Sequence, residues 1–134
     1  MAHDPPTAEG LLGPLEYEVL RALWADSPAS VPAVLERLNG GRGHEQQLAY
    51  TTVMTVLTRL HEKGLLDRTR RGRGYEYHPR YTEPRLVEHL GRREVDDLVD
   101  RYGRVALAQF ASALHDADPE LLRQLHELGD ADDA

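Results

Sequence analysis

Thr51, Thr55 and Thr58 recur three and four residues apart, with Thr52, Met54 and Arg59 beside them. At about 100° per residue, the three threonines share one side of a helix, opposite Val53, Val56, Leu57 and Leu60. Threonine is a mediocre helix former because its branched Cβ is restricted against the preceding turn. An outward row of threonines therefore does nothing for helix stability. It suits a groove of nucleic acid. A threonine hydroxyl bonds a base edge or a phosphate, and its methyl meets the methyl of thymine. Capping explains Thr51 or Thr52 equally well, since a helix start favours threonine. It does not explain Thr55 and Thr58. Shortly downstream come Arg68, Arg70, Arg71 and Arg73. Guanidinium groups at that density suit phosphate contact or entry into a minor groove. The plain alternative is a solvated edge hairpin kept from aggregating by its charge.

Other chemistry fails for lack of groups. There is no cysteine, which excludes a disulfide scaffold, a thiolate metal site and a cysteine nucleophile. His44-Glu45-Gln46-Gln47-Leu48 begins like a zinc-protease motif but has Leu48 where the second histidine must stand. Gly40-Gly41-Arg42-Gly43 lacks the trailing lysine and hydroxyl of a phosphate loop. His89, His115 and His126 could meet in a dimer around a metal or haem, but scattered, exposed histidines are the simpler reading. No enzyme, cofactor or metal site is expected.

The formal net charge of −7 looks unsuited to nucleic acid, but the distribution is uneven. Residues 48–80 hold seven basic and three acidic side chains, whereas residues 81–134 hold six basic and thirteen acidic ones. The positive block coincides with the threonine helix and the arginine run. No stretch approaches the ~20 apolar residues of a membrane span. Residues 1–10 lack the basic and apolar regions of a secretory signal. A cytoplasmic protein without membrane insertion is expected.

The elements that must position these residues follow from periodicity and punctuation. Gly13-Pro14 opens a helix with Leu15, Val19, Leu20, Leu23 and Trp24 on one face, and Asp26-Ser27-Pro28 ends it. Ser30 caps a second helix over residues 31–38, with Pro32 tolerated in its first turn. A polar, glycine-rich loop covers residues 39–47. The third helix runs over residues 50–63, and Gly64 closes it. Residues 65–70 and 75–79 then read as strands around Arg71-Gly72-Arg73-Gly74, with Tyr75 or Tyr77 turned into the core. Three helices and a hairpin make a winged helix-turn-helix. Past Pro79 the chain is acidic and helical. One long helix or two cover residues 84–102, bending near Gly91. A segment over 104–114 is apolar nearly all round, and Asp118-Pro119 starts a last helix. The fold expected is mainly α with a small β-hairpin. Residues 1–10 form a flexible tail, 11–80 a winged-helix DNA-binding domain, 81–129 a helical dimerisation region and 130–134 a second flexible tail. The all-round apolar segment needs a second protomer to cover it. Leu86, Leu90, Leu98, Tyr102, Leu107, Phe110, Leu114, Leu122 and Leu125 are the expected interface.

Leu12-Gly13-Pro14-Leu15-Glu16, the run Ala49 to Leu60, Lys63-Gly64-Leu65, Gly72-Arg73 and Tyr77-His78-Pro79 resemble the penicillinase-repressor (BlaI/MecI) family. The resemblance implies a homodimeric repressor on a double-stranded, dyad operator. The residue patterns themselves place DNA contact on Thr51, Thr52, Met54, Thr55, Thr58, Arg59, Arg70, Arg71 and Arg73. In the best-studied members a membrane sensor protease leads to a cut before a phenylalanine of the dimerisation region. Phe110 holds that place here, but Gln109 replaces the asparagine, so Phe110 reads first as a core residue. Two alternatives stay open beside this reading: a winged helix used only for protein contact, and a repressor that responds to a small ligand or haem.

Overall fold

The computed structural model describes residues 7–132. Its helices are α1 (Pro14–Ala25), α2 (Val31–Gly40), α3 (Tyr50–Glu62), α4 (Glu83–Tyr102), α5 (Arg104–Ala117) and α6 (Pro119–Asp132). Its strands are β1 (Ala29–Ser30), β2 (Leu66–Arg71) and β3 (Gly74–Pro79). By the contacts within it the chain divides into two units, Met1–Leu90 and Gly91–Ala134.

The first unit is a winged helix. Local signals set its helix ends. Pro14 occupies the first turn of α1, where a missing N–H costs nothing. The Ser30 hydroxyl accepts the Ala33 N–H at the start of α2. At the end of α3, Gly64 takes φ +79°. The Leu65 N–H then reaches the Leu60 carbonyl at 2.9 Å and the Gly64 N–H the His61 carbonyl at 3.0 Å. This double bond pattern satisfies carbonyls that a straight helix end leaves open, and it seats Leu65 against Leu60, both buried.

The three helices share one core. Val19, Leu20 and Leu23 of α1 meet Val34 of α2 and Val53, Leu57 and Leu60 of α3. The sheet has three antiparallel strands in the order β1-β3-β2, one more than the hairpin expected. β1 is two residues long and pairs Ala29 with Tyr77 and Ser30 with Glu76. So short a strand carries no alternation to read. Tyr77 is the core tyrosine, while Tyr75 is half-buried.

Two segments differ from expectation. Residues 1–10 were expected as a tail, but Ala8–Leu11 form a turn of 3-10 helix. Ala8 is fully buried, and its N–H donates to Glu83 Oε2 at 3.2 Å. Residues 1–6 lie outside the described residues. The second difference concerns Leu86, read from the sequence as interface. It is 1% exposed and belongs to the winged-helix core, with Tyr81, Val87 and Leu90 packed around that core. The apolar stripe of α4 is thus divided, its first part packed on the winged-helix core and its later part exposed. Leu86 and Leu90 serve the first unit, and Val95, Leu98 and Tyr102 belong to the second.

The second unit holds α5 and α6 packed on each other, with the last turns of α4. Gly103 turns the chain at φ +68°, and Asp118 Oδ1 accepts the Glu120 and Leu121 N–H groups to start α6. α6 continues through residues 130–132, expected as tail; residues 133–134 lie outside the described residues.

Leu86→Ala is expected to remove about 2–5 kcal/mol of stability through the cavity it leaves. Urea unfolding followed by circular dichroism checks this. The loss should be equal at low and high protein concentration, because the side chain serves the fold of one protomer; a concentration-dependent loss would return Leu86 to an interface.

Candidate nucleic-acid interface

The inner stripe of α3 decides what its outer side can offer. Val53, Val56, Leu57 and Leu60 are buried, which turns Thr51, Thr52, Met54, Thr55 and Arg59 to solvent. Thr58 is half-buried and stands at the margin of that face. The capping explanation for Thr51 and Thr52 fails here. The N-cap is Ala49, which supplies no side-chain oxygen, and both threonines lie inside the first turn. Thr52 and Val53 donate to the Ala49 carbonyl. The start of α3 is left with N–H groups and the positive end of its dipole facing outward.

Three polar side chains hold that helix start in place. Asn39 Oδ1 accepts the Leu48 N–H at 2.7 Å, and Asn39 Nδ2 donates to the Leu48 carbonyl at 3.1 Å. One side-chain amide thus pairs with both backbone groups of Leu48, as a strand would. Gln47 Nε2 donates to the carbonyls of Asn39 and Arg42. Arg42 reaches Glu18 of α1 at 2.7 Å. The far end of α3 is fixed by Glu16, whose Oε1 accepts the Gly13 N–H while its Oε2 meets Lys63 Nζ at 2.7 Å. The Gly13–Glu16 contact is a local capping pair; the pairings of Asn39 with Leu48, Arg42 with Glu18 and Lys63 with Glu16 are too far apart in sequence to read from residue spacing.

The wing closes on two residues. Arg71 pairs with Gly74, so Gly72 and Arg73 form the connection, and Gly72 takes φ +60°. A positive φ at the first central position is what the right-handed twist of a two-residue hairpin requires. Arg73 is carried at the tip, exposed. The four wing arginines have separate fates. Arg68 lies 4.1 Å over the Tyr75 ring and is half-buried, so it packs the hairpin. Arg70 is exposed, 6.0 Å from the same ring centre. Arg71 sits 3.5 Å from Glu76. Arg71 and Arg73, with Tyr50, Val31, Pro32 and Tyr75, help line a cavity of about 350 Å³. The wing tip therefore opens beside the first residue of α3. Tyr50, half-exposed at that point, was missed in the sequence, where nothing in its neighbours distinguishes it.

Charge pairing sharpens the picture. In the first unit Arg37, Arg42, Lys63, Arg71 and Arg80 each have a carboxylate within 4 Å. Among the described residues of that unit, Arg21, Arg59, Arg68, Arg70 and Arg73 do not. Four of those five lie on α3 or the wing. The base of the wing is neutralised instead. Arg80 contacts Asp67 at 2.7 Å, and its N–H donates to the Leu65 carbonyl. The hydrogen bond from Arg80 holds the Asp67 carboxyl below the usual aspartate range, against a smaller opposing effect of burial.

The second unit exposes apolar surface. Val95, Leu98, Tyr102, Leu107 and Leu121 are exposed, with Val105 at 67% and Phe110 at 58%. Leu114 is half-buried, and no described residue of α5 is buried. The side chains of Leu122 and Leu125 lie outside the described residues.

A family model described as "Penicillinase repressor" matches residues 12–130. Two curated relatives, each named "Transcriptional regulator BlaI" and from two strains of Mycobacterium tuberculosis, are 42% identical over 80 residues. That is 59% of this chain and 55% of theirs, so the chain spans about half the length of the curated relatives it matches. Among solved structures, a MarR family protein from Bacillus stearothermophilus aligns with a TM-score of 0.45 at 16% identity, over 82% of this chain and 75% of that one. The PcaV transcriptional regulator from Streptomyces coelicolor, in complex with its natural ligand, aligns with a TM-score of 0.45 at 27% identity, over 87% and 75%.

Asp67→Asn tests the wing base. A depressed folded-state pKa contributes stability above the ordinary aspartate range, and that stability is lost as pH falls through the lowered value. Between neutral and mildly acidic pH the parent is expected to be the more stable, with the two converging in strong acid. Thermal melts across that range check it; parallel curves for the two proteins would remove the Asp67–Arg80 pair from the account.

Proposed function

The chain belongs to the penicillinase repressor family, and from that footing we propose that it is a sequence-specific transcriptional repressor, acting in the cytoplasm as a homodimer on a dyad operator. α3 enters the major groove with Thr51, Thr52, Met54, Thr55, Thr58 and Arg59. Arg70, Arg71 and Arg73 of the wing hold the backbone or the adjacent minor groove. The observation that carries this reading is the gathering of unpaired arginines beside an outward threonine helix, in a chain whose net charge is −7. A solvated surface has no reason to concentrate uncompensated cations there, whereas phosphates compensate them. A surface built for protein contact more often presents aromatic or leucine anchors than threonines.

Dimerisation is the reading that the second unit supports. Val105 and Phe110 are too exposed for a solitary chain, and a second copy would bury them. Two winged helices so joined read half-sites roughly one helical turn, ~10 bp, apart. Phe110 belongs to this seam. Cleavage before it by a sensor protease would first require α5 to unwind, since Gln109 and Phe110 lie inside a continuous helix. No described helix is long and apolar enough to cross a membrane.

Selection of bound fragments from genomic DNA with purified protein tests the proposal. Symmetric sites with constant half-site spacing are expected, and an asymmetric, random set would overturn it. Within a selected site, Thr55→Ala should narrow the gap between operator and random DNA. Arg73→Ala should weaken binding to every sequence and reduce the salt slope by about one unit. An unchanged slope in a gel-shift titration removes the wing tip from the interface. Phe110→Asp should convert the dimer to monomer in sedimentation analysis and abolish operator binding while leaving the circular dichroism of the helices in place.

A further inference from the structure

The outer side of α3 is poor in groups that recognise a base by two hydrogen bonds. Such recognition needs the fork of arginine or the amide of asparagine or glutamine. Thr51, Thr52, Met54 and Thr55 are exposed there, Thr58 is half-buried, and Arg59 is the one fork on the helix. Of the amides closest in sequence, Asn39 is engaged with Leu48 and Gln47 with the Asn39 and Arg42 carbonyls, while Gln46 is exposed in the turn before α3 and stands off the helix itself. What the face has in abundance is methyl groups. Each threonine carries one, and Met54 ends in one at 40% exposure. Among the described residues of the first unit the exposed large apolar side chains are Leu11, Tyr50 and Met54, and two of these three belong to α3. An apolar tip on the outward side of a helix whose core stripe is complete adds nothing to the fold. It gains by being covered.

In the major groove, the 5-methyl of thymine is the apolar feature that separates one standard base from the others. Resting on the reading of α3 as a major-groove helix, we propose that Thr51, Met54 and Thr55 select the operator by contact with thymine methyl groups. Thr51 and Thr55 stand one turn apart, ~6 Å along the helix axis. That is close to two base-pair steps of ~3.4 Å. The selecting thymines therefore fall within two or three consecutive base pairs of each half-site. The hydroxyls add single hydrogen bonds to bases or phosphates, and Arg59 supplies the one fork.

Deoxyuridine removes the methyl and leaves every hydrogen-bonding group of thymine in place, so it isolates the contact. An operator recovered by selection is synthesised with deoxyuridine at each half-site thymine in turn and titrated with the full chain by fluorescence anisotropy at one salt concentration. At the read positions binding should weaken about fourfold, the effect of uncovering one methyl-sized group. Substitution in both half-sites should multiply this to roughly fifteenfold. Random duplex DNA made with deoxyuridine should bind as its thymine form does. Thr55→Ser deletes the protein methyl and keeps the hydroxyl, whereas Thr55→Val keeps methyls and loses the hydroxyl. The serine variant, or Met54→Ala at its own position, should bind the thymine operator more weakly and become indifferent to deoxyuridine there. The valine variant should keep the sensitivity. Selected binding with no deoxyuridine effect, or an effect that survives Thr51→Ser, Thr55→Ser and Met54→Ala alike, overturns methyl reading and leaves the repressor reading intact. Failure to select any site overturns both.

Discussion

Four side chains on one stripe set the rotation of α3 about its own axis. Val53, Val56, Leu57 and Leu60 leave water together against Val19, Leu20 and Leu23. At roughly 1.5–3 kcal/mol for each buried aliphatic side chain, no other rotation of the helix competes. The threonines face outward because the opposite face is committed. Everything proposed about recognition inherits its geometry from that burial, including the half-buried state of Thr58 at the edge of the stripe.

Polar contacts then fix where the helix begins and ends. Asn39 clasps Leu48 just before the start of α3, and Glu16 joins the start of α1 to Lys63 just past its end. The first is a short-range contact across a loop, the second spans 47 residues. Both replace hydrogen bonds to water with bonds that have direction, so their contribution lies in position more than in free energy. Cations follow the same division. In the first unit Arg37, Arg42, Lys63 and Arg80 of the framework have carboxylate partners, whereas four of the five arginines without one, Arg59, Arg68, Arg70 and Arg73, lie on α3 and the wing.

Local signals made much of this legible. Ser30 as a cap, Gly64 as a helix end, Asp118 before α6 and the hairpin about Gly72 are features of a few consecutive residues, and each stands where spacing placed it. What escaped was non-local. Leu86 looks like its neighbours on an apolar stripe, and only the fold shows which partner buries it. Ala8 and β1 are too short to carry a pattern of their own. Arg68 has the composition of a contact residue, yet Tyr75 claims it for packing. The candidate site was legible as a set of residue types. Its subdivision into wing tip, hairpin packing and wing base was not, because that depends on which groups lie across the ladder.

The two-residue wing has a consequence for how such a protein can diverge. Arg71, paired with Gly74, and Arg73, the second residue of the connection, are held by a register that allows no slack. One residue inserted into β2 would move every side chain beyond it to the other face of the sheet. Descendants of this chain are therefore free to alter the charge of the wing one position at a time, while its length is closed to gradual change. New targets are reached more readily through the outward residues of α3, which can be exchanged without disturbing anything they touch in the fold.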